Sequence, residues 1–110
     1  MENLPALFAH QQYHTDNFFL IAGPCVVESE EMVMEIAEKV SDSCKNLSVP
    51  CIFKASYRKA NRTIASSFTG IGDENALKII QQAGRKFNVP VTTDIHAHEE
   101  AALAAGYVDI

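Results

Sequence analysis

The sequence predicts an α/β fold built on a parallel sheet, and three observations predict it. Short apolar runs alternate with amphipathic stretches, the strand–helix alternation of a parallel sheet. The dipeptide Val-Pro stands just before two of those runs, at Val49-Pro50 and Val89-Pro90, so one unit repeats forty positions later. The residues able to do chemistry stand just past the runs: Cys25 after the first, Lys54 and Ser56 after the second, Asp94 and His96 after the third. In parallel α/β folds that edge is where ligands bind.

Residues 1–17 carry no clear period and read as an N-terminal extension. Within it Leu4, Leu7 and Phe8 suit a short helical turn or strand, and His10 and His14 read as surface residues. Phe18 to Ala22 is a continuous apolar run ended by Gly23-Pro24, the pattern of a strand buried on both faces. Ser29 then caps a helix whose first turn holds Glu30 and Glu31, where the helix dipole favours acids. Its apolar positions are Val33, Ile36, Ala37, Val40, Cys44 and Leu47, at spacings of three and four, and it ends near Asn46. Cys44 reads as a small core residue.

Cys51 to Ser56 is the second strand, and residues 63–72 form a polar loop. Asp73 caps the second helix, whose apolar face is Ala76, Leu77, Ile80 and Phe87, with Gly84 allowing close packing. Asn88 ends it. Val91 to Ile95 is the third strand, a short helix runs from His98 to Ala105 with Gly106 at its C′ position, and Val108 to Ile110 opens a fourth strand.

A doubly wound sheet carries a glycine-rich phosphate loop after its first strand. Gly23-Pro24-Cys25-Val26-Val27-Glu28 is not one. The pattern therefore points to a (β/α)₈ TIM barrel, which needs about 250 residues. The 110 residues hold about the first three βα units and the start of strand 4. The expectation is an extension over 1–17 and the N-terminal part of a barrel domain over 18–110, that is, a fragment.

Composition narrows the function. A hydrophobic fraction of 47% excludes wholesale disorder. No apolar run approaches the ~18 residues of a membrane helix, and Met1 to Asn17 lacks the basic and apolar regions of a secretory signal. Three widely spaced cysteines without a C-x-x-C argue for reduced thiols and a cytoplasmic protein.

The densest chemical signal is Lys54-Ala55-Ser56-Tyr57-Arg58-Lys59-Ala60-Asn61-Arg62, with four cations and no carboxylate on a chain of net charge −5. So acidic a remainder repels phosphodiester, which argues against a nucleic-acid surface. The stretch suits a pocket for a small, highly charged anion, with Lys as point charge and Arg as bidentate fork. The competing reading is a solvated loop whose cations offset nearby carboxylates. Ser56, Asn61 and Thr63 interleave neutral donors with the cations, a mix that fits a sugar phosphate. Cys25 reads either as a thiolate for a divalent metal or a nucleophile, or as a small buried residue. Asp94 and His96, on one side of a strand end, suit metal ligation or proton handling, or neither.

Four motifs in register carry a resemblance that covers residues 18–110: Ile21-Ala22-Gly23-Pro24-Cys25-Val26-Val27-Glu28-Ser29, Phe53-Lys54-Ala55-Ser56, Lys59-Ala60-Asn61-Arg62 and Thr93-Asp94-Ile95-His96. Together they resemble the 3-deoxy-D-manno-octulosonate-8-phosphate synthases, whose fold is a (β/α)₈ barrel. The resemblance implies condensation of phosphoenolpyruvate with D-arabinose 5-phosphate and water, with release of phosphate, on the way to lipopolysaccharide. It implies Lys54, Lys59 and Asp94 as catalytic residues, the two lysines between phosphoenolpyruvate and the sugar. Ser56 joins them in the substrate site, Asn61 would hold sugar hydroxyls, and Arg62 and Thr63 would grip the sugar's phosphate. Many members have serine where Thr63 stands. Cys25 matches the metal-dependent class and implies a divalent metal ion, whose other ligands in that class lie in later strands. The 110 residues alone are therefore expected to be inactive. Family likeness also implies a homo-oligomer, a tetramer, with no membrane or nucleic-acid partner.

The related 3-deoxy-D-arabino-heptulosonate-7-phosphate synthases share a Gly-Pro-Cys turn. They typically have Lys-Pro-Arg followed by Thr or Ser where this chain has Lys59-Ala60-Asn61-Arg62, so Asn61 favours the octulosonate enzymes. A rival of another class is a non-catalytic anion-binding module, which needs a fold that closes within 110 residues.

Overall fold

Three short parallel strands, hydrogen-bonded in sequence order, position everything else. The computed structural model describes residues 4–13, 18–58 and 71–110. The elements are α1 (Leu4–Leu7), β1 (Leu20–Ala22), α2 (Glu30–Asn46), β2 (Cys51–Lys54), α3 (Asp73–Phe87), β3 (Val91–Thr92), a 3₁₀ turn (His98–Glu100) and α4 (Ala101–Ala105). The sheet order is β1-β2-β3, with Ile21 opposite Ile52, Phe53 opposite Val91 and Lys54 opposite Thr92. No described helix is long and apolar enough to cross a membrane.

The forty-residue repeat is a repeat of hydrogen bonds. Each helix ends in a left-handed residue before Val-Pro, Ser48 and Asn88, both at φ 55°. The following valine N–H turns back to a carbonyl five residues earlier, Val49 to Cys44 at 2.8 Å and Val89 to Gly84 at 3.1 Å. The proline, which has no N–H to give, uses its carbonyl instead. Pro50 accepts from Leu20 N and Pro90 from Phe53 N, both at 2.9 Å. Each Val-Pro thus ends a helix and starts the pairing of a strand with its predecessor.

Helices α2 and α3 pack against one face of the sheet and against each other. Val33, Ala37 and Cys44 from α2 share one buried cluster with Leu77, Ile80 and Ala83 from α3 and with Cys51, Phe53 and Val91 from the strands. Fully burying each large aliphatic side chain there stabilises by roughly 1.5–3 kcal/mol. Gly84 sits against β3; a β-carbon there would stand 2.6 Å from Val91 Cγ1. By strand alternation and register, Ile21, Ile52, Lys54 and Thr92 lie on the opposite face, away from the two helices.

The N-terminal segment is tied to β2. The Gln11 side-chain amide accepts from Cys51 N at 2.8 Å and donates to Cys51 O at 2.9 Å, as a neighbouring strand's backbone would. Phe8 is buried and packs on Tyr13 and Phe19. At the other end of the chain, Asp109 N and Ile110 N donate to Val91 O, and the Asp109 carboxylate accepts from Val91 N. The residues expected to open a fourth strand therefore already lie along β3, without forming a regular strand.

Several expectations are corrected. Phe18, Leu20 and Ile21 are 65%, 41% and 51% exposed, so the first apolar run is not buried on both faces; β1 is the sheet's edge, and α2 and α3 cover only one side. Leu47 is exposed because it is the residue that caps α2, beyond its buried stripe. Gly72, at φ 110°, occupies the N-cap of α3, which frees the Asp73 carboxylate for Arg58. Gly106 caps α4 in a right-handed conformation, not the left-handed one its residue type suggested. The second and third strands end at Lys54 and Thr92, short of Ser56 and Ile95, because side-chain bonds replace ladder bonds from there on.

Candidate functional site

Past their last ladder pairs, the chains leaving β1, β2 and β3 stay side by side. After β1, the Gly23-Pro24-Cys25 turn lies against the end of β2: a β-carbon on Gly23 would be 1.6 Å from the Lys54 carbonyl oxygen. Only glycine allows that approach. Val27 N then donates to Ser56 O at 3.0 Å, closing the turn onto the second loop.

Between the second and third loops the side chains take over the pairing. Ala55 N donates to Thr92 O, and Thr93 Oγ1 donates to Ala55 O at 2.8 Å. Ser56 Oγ, nearly buried, donates to Asp94 Oδ1 at 2.5 Å. His96 Nε2 lies 2.7 Å from Arg58 O. A carbonyl can only accept, so Nε2 carries the hydrogen and the imidazole is held in that tautomer. The Tyr57 and His96 rings pack at 5.7 Å.

Glu100, in the 3₁₀ turn, takes two side-chain donors, the Tyr57 hydroxyl and Arg58 Nη2 at 2.8 Å. The Tyr57 bond above all, then the Arg58 charge and the His96 N–H, hold its carboxyl below the usual glutamate range. Burial, with help from Glu100, pushes the Tyr57 phenol up from its ordinary value. Arg58 also faces Asp73 at 3.7 Å, so this cation is paired with two carboxylates. For Arg58 the reading of cations offset by nearby carboxylates holds, and it subtracts one charge from the four in the basic stretch.

Lys54 is half-buried on the helix-free face at the end of β2, and among the described residues its ammonium has no ion-pair partner. Lys54, Ser56 and Asp94 are thus brought to one edge. Cys25 stands at the same edge as an exposed free thiol, which excludes its reading as a small buried residue. Lys59, Asn61, Arg62 and Thr63 lie outside the described residues. Among the described residues, no group of three or more His, Cys, Asp or Glu is placed to hold a metal ion.

The other two cysteines differ from Cys25. Cys44 and Cys51 are buried side by side, and burial, reinforced by Cys44, pushes the Cys51 thiol up to about 12. Two clefts, of about 460 and 910 Å³, open at the opposite edge around Asn88 and Val89 and hold none of these site residues. Glu100 was not singled out from the sequence. Its signal was the acidic pair Glu99-Glu100 at a helix start, which is also what any surface helix shows.

Comparison with known proteins converges on one group. The profile of the DAHP synthetase I family matches residues 11–110. Among curated proteins, the chain is 52% identical over 92 residues to the 2-dehydro-3-deoxyphosphooctonate aldolase of Koribacter versatilis, covering 84% of this chain and 33% of that protein. It is 45% identical over 100 residues to the protein of the same name from Syntrophobacter fumaroxidans, covering 91% of this chain and 35% of that one. A Burkholderia mallei protein of that name is 48% identical over 93 residues, covering 84% and 33%. The chain spans about a third of the length of these relatives.

Proposed function

We propose, from the premise that this chain belongs to the DAHP synthetase I family, that it is part of a synthase joining phosphoenolpyruvate to D-arabinose 5-phosphate. Water is the third substrate, and the products are 3-deoxy-D-manno-octulosonate 8-phosphate, a precursor of lipopolysaccharide, and phosphate. The activity belongs to a polypeptide of the relatives' full length, and these 110 residues alone are inactive. The observation that carries the reading is the shared edge where Lys54, Ser56, Asp94 and the glycine-tight Cys25 turn meet, in a chain about half identical to proteins named for that product.

The fold in this reading is a (β/α)₈ barrel, with 1–17 as an extension and 18–110 as the barrel's first part. Sequential strand order with α2 and α3 packed together on one face is the singly wound arrangement a barrel needs. The helix-free face then becomes the interior, toward which Lys54 stands. Bonds from Asp109 and Ile110 to Val91 prepare the fourth strand.

In the reaction, the enol carbon of phosphoenolpyruvate attacks the sugar aldehyde while water attacks the adjacent carbon. Lys54 holds phosphoenolpyruvate beside the sugar, and Lys59 helps it. Asp94, aimed by Ser56, lies at the reacting carbons. Asn61, Arg62 and Thr63 bind the sugar phosphate. Their main contribution is positioning of two anions that repel each other. A divalent metal fits the described residues only through Cys25, whose exposed thiol offers one ligand, and one ligand does not make a site. Such a metal would polarise the aldehyde or activate water when bound. The site works in a cytoplasmic homo-oligomer, a tetramer by family likeness.

The family's name keeps a second reading in play, the heptulosonate synthase, with a shorter sugar phosphate. One experiment separates them. The matching stretch of the Koribacter versatilis protein is replaced by that of this chain, and the full-length chimera is given phosphoenolpyruvate with either arabinose 5-phosphate or erythrose 4-phosphate. Mass spectrometry of an octulosonate product is the expected result. A heptulosonate product alone would favour the second reading. No product with either sugar, from a folded chimera, would sink both and leave an anion-binding module.

A further inference from the structure

Glu100 lies outside the residues that the proposed reaction uses, yet among the described residues it is the carboxylate at the site's edge that takes both Tyr57 and Arg58. Its side chain is 19% exposed and takes the Tyr57 hydroxyl and the Arg58 guanidinium together. Glu100 itself follows the loop after β3, so these bonds join the two loops that flank the reaction edge. Tyr57 and Arg58 belong to the loop that leaves β2 after Lys54 and Ser56; His96 belongs to the loop that leaves β3 beside Asp94.

A carboxylate carried at the end of the β3 loop and bonded twice to the β2 loop fixes their separation. Tyr57 is itself fully buried, so its ring cannot swing away to follow a moving loop. The His96 imidazole returns the connection, donating from Nε2 to Arg58 O. Arg58 carries it on to Asp73 at the start of α3. The result is a closed circuit, Glu100–Tyr57–Arg58–His96, one step outside the Ser56–Asp94 bond.

We propose that Glu100 is a positioning residue. It locks the loop after β2 to the loop after β3 and so sets the spacing of Lys54 and Ser56 from Asp94. The inference rests on the reading of this edge as the reaction site. Placement errors of an ångström at such a site cost about a hundredfold in rate. A carboxamide at this position keeps an acceptor for Tyr57 but loses the charge that holds Arg58.

Two kinds of readout test it, both on the full-length chimera described above. Ultraviolet titration of the Tyr57 phenol, assigned by difference from Tyr57→Phe, should run above the ordinary tyrosine range and move down in Glu100→Ala. Nitrogen-15 spectra should show His96 protonated at Nε2, and a mixture of tautomers in Glu100→Ala. In the chimera, Glu100→Ala should lower kcat by about ten- to a hundredfold with KM for phosphoenolpyruvate changed less than threefold, and Glu100→Gln should recover part of the loss. An ordinary Tyr57 titration in the folded chimera, or a His96 tautomer indifferent to Glu100, overturns the inference whatever the chimera's rate. So does a Glu100→Ala chimera that melts earlier but keeps kcat. An unmutated chimera inactive with both sugars counts against the reaction assigned above, and the two spectroscopic readouts then decide the role of Glu100 alone.

Discussion

Gly23 touches Lys54 through the backbone: the position a β-carbon would take on Gly23 is 1.6 Å from the Lys54 carbonyl oxygen. The turn that ends in Cys25 is thereby held against Lys54, whose ammonium has no ion-pair partner among the described residues.

Gly23→Ala should therefore be among the most damaging small substitutions in the chain. A carbonyl oxygen at the end of a strand cannot move aside as a flexible side chain can, so β1 and β2 must separate. Overpacking costs about 1–3 kcal/mol in ordinary cores, and a backbone collision belongs at or above the top of that range. Gly106→Ala is the control, since its nearest contact is 3.4 Å away and its φ is −74°. Denaturant midpoints of the two variants check this, and equal midpoints would refute it.

How much of this was legible beforehand depends on how local the determinant is. Ser29 as N-cap, the end of α2 at Asn46 and the start of β2 after Pro50 follow from short-range chemistry, and each stands where the residues put it. Cys44 as a core residue follows from helical spacing. The exposure of Leu20 and Ile21 was not legible, because an apolar run records what a strand can bury and not what lies beside it. The Ser56–Asp94 bond was half legible: both residues were placed at one edge, but a link between positions 38 apart is a product of the fold. The Glu100 circuit was not legible as a unit: of its four members only His96 stood out, as a candidate for metal ligation or proton handling, and the other three read singly as a loop cation, a tyrosine and an acid.

The Ser56–Asp94 bond should show energetic coupling. Ser56→Ala removes the donor from a half-buried carboxylate and should cost about 1–3 kcal/mol. Asp94→Asn should cost less, because the amide oxygen still accepts. A double-mutant cycle in urea should give a coupling of about 0.5–3 kcal/mol, and additive effects would mean that the bond contributes nothing.

Thiol chemistry should separate the three cysteines. Cys25 is exposed, whereas Cys44 and Cys51 are buried and the Cys51 thiol is pushed up to about 12. The thiolate is the reactive form, so at pH 8 Cys51 should alkylate slower than a free cysteine by on the order of a thousandfold. Peptide mass spectrometry after brief iodoacetamide treatment should find label on Cys25 alone, and all three labelled in urea. Native label on Cys51 would show that the packing of α2 on β2 is loose.

Stability should fall at both pH extremes, through opposite members of the same bond. Glu100 has its carboxyl held below the ordinary value of 4.5, so its contribution is complete above that value and disappears as pH drops through the lower folded one. Tyr57 is raised above 10.0, so its contribution is complete below pH 10.0 and disappears as pH climbs past it. Cys51 loses its contribution in the same alkaline direction, starting above 9.0, and Tyr107 is likewise raised by its bond to Glu74. The test is therefore a difference between variants in a Cys51→Ala background. Glu100→Gln should flatten the acid limb of the melting temperature against pH. Tyr57→Phe should flatten the alkaline limb while leaving the acid limb sloped, because Arg58 and the His96 N–H still hold the Glu100 carboxylate. If both limbs keep their slopes in both variants, the bond between Tyr57 and Glu100 does not govern the pH dependence.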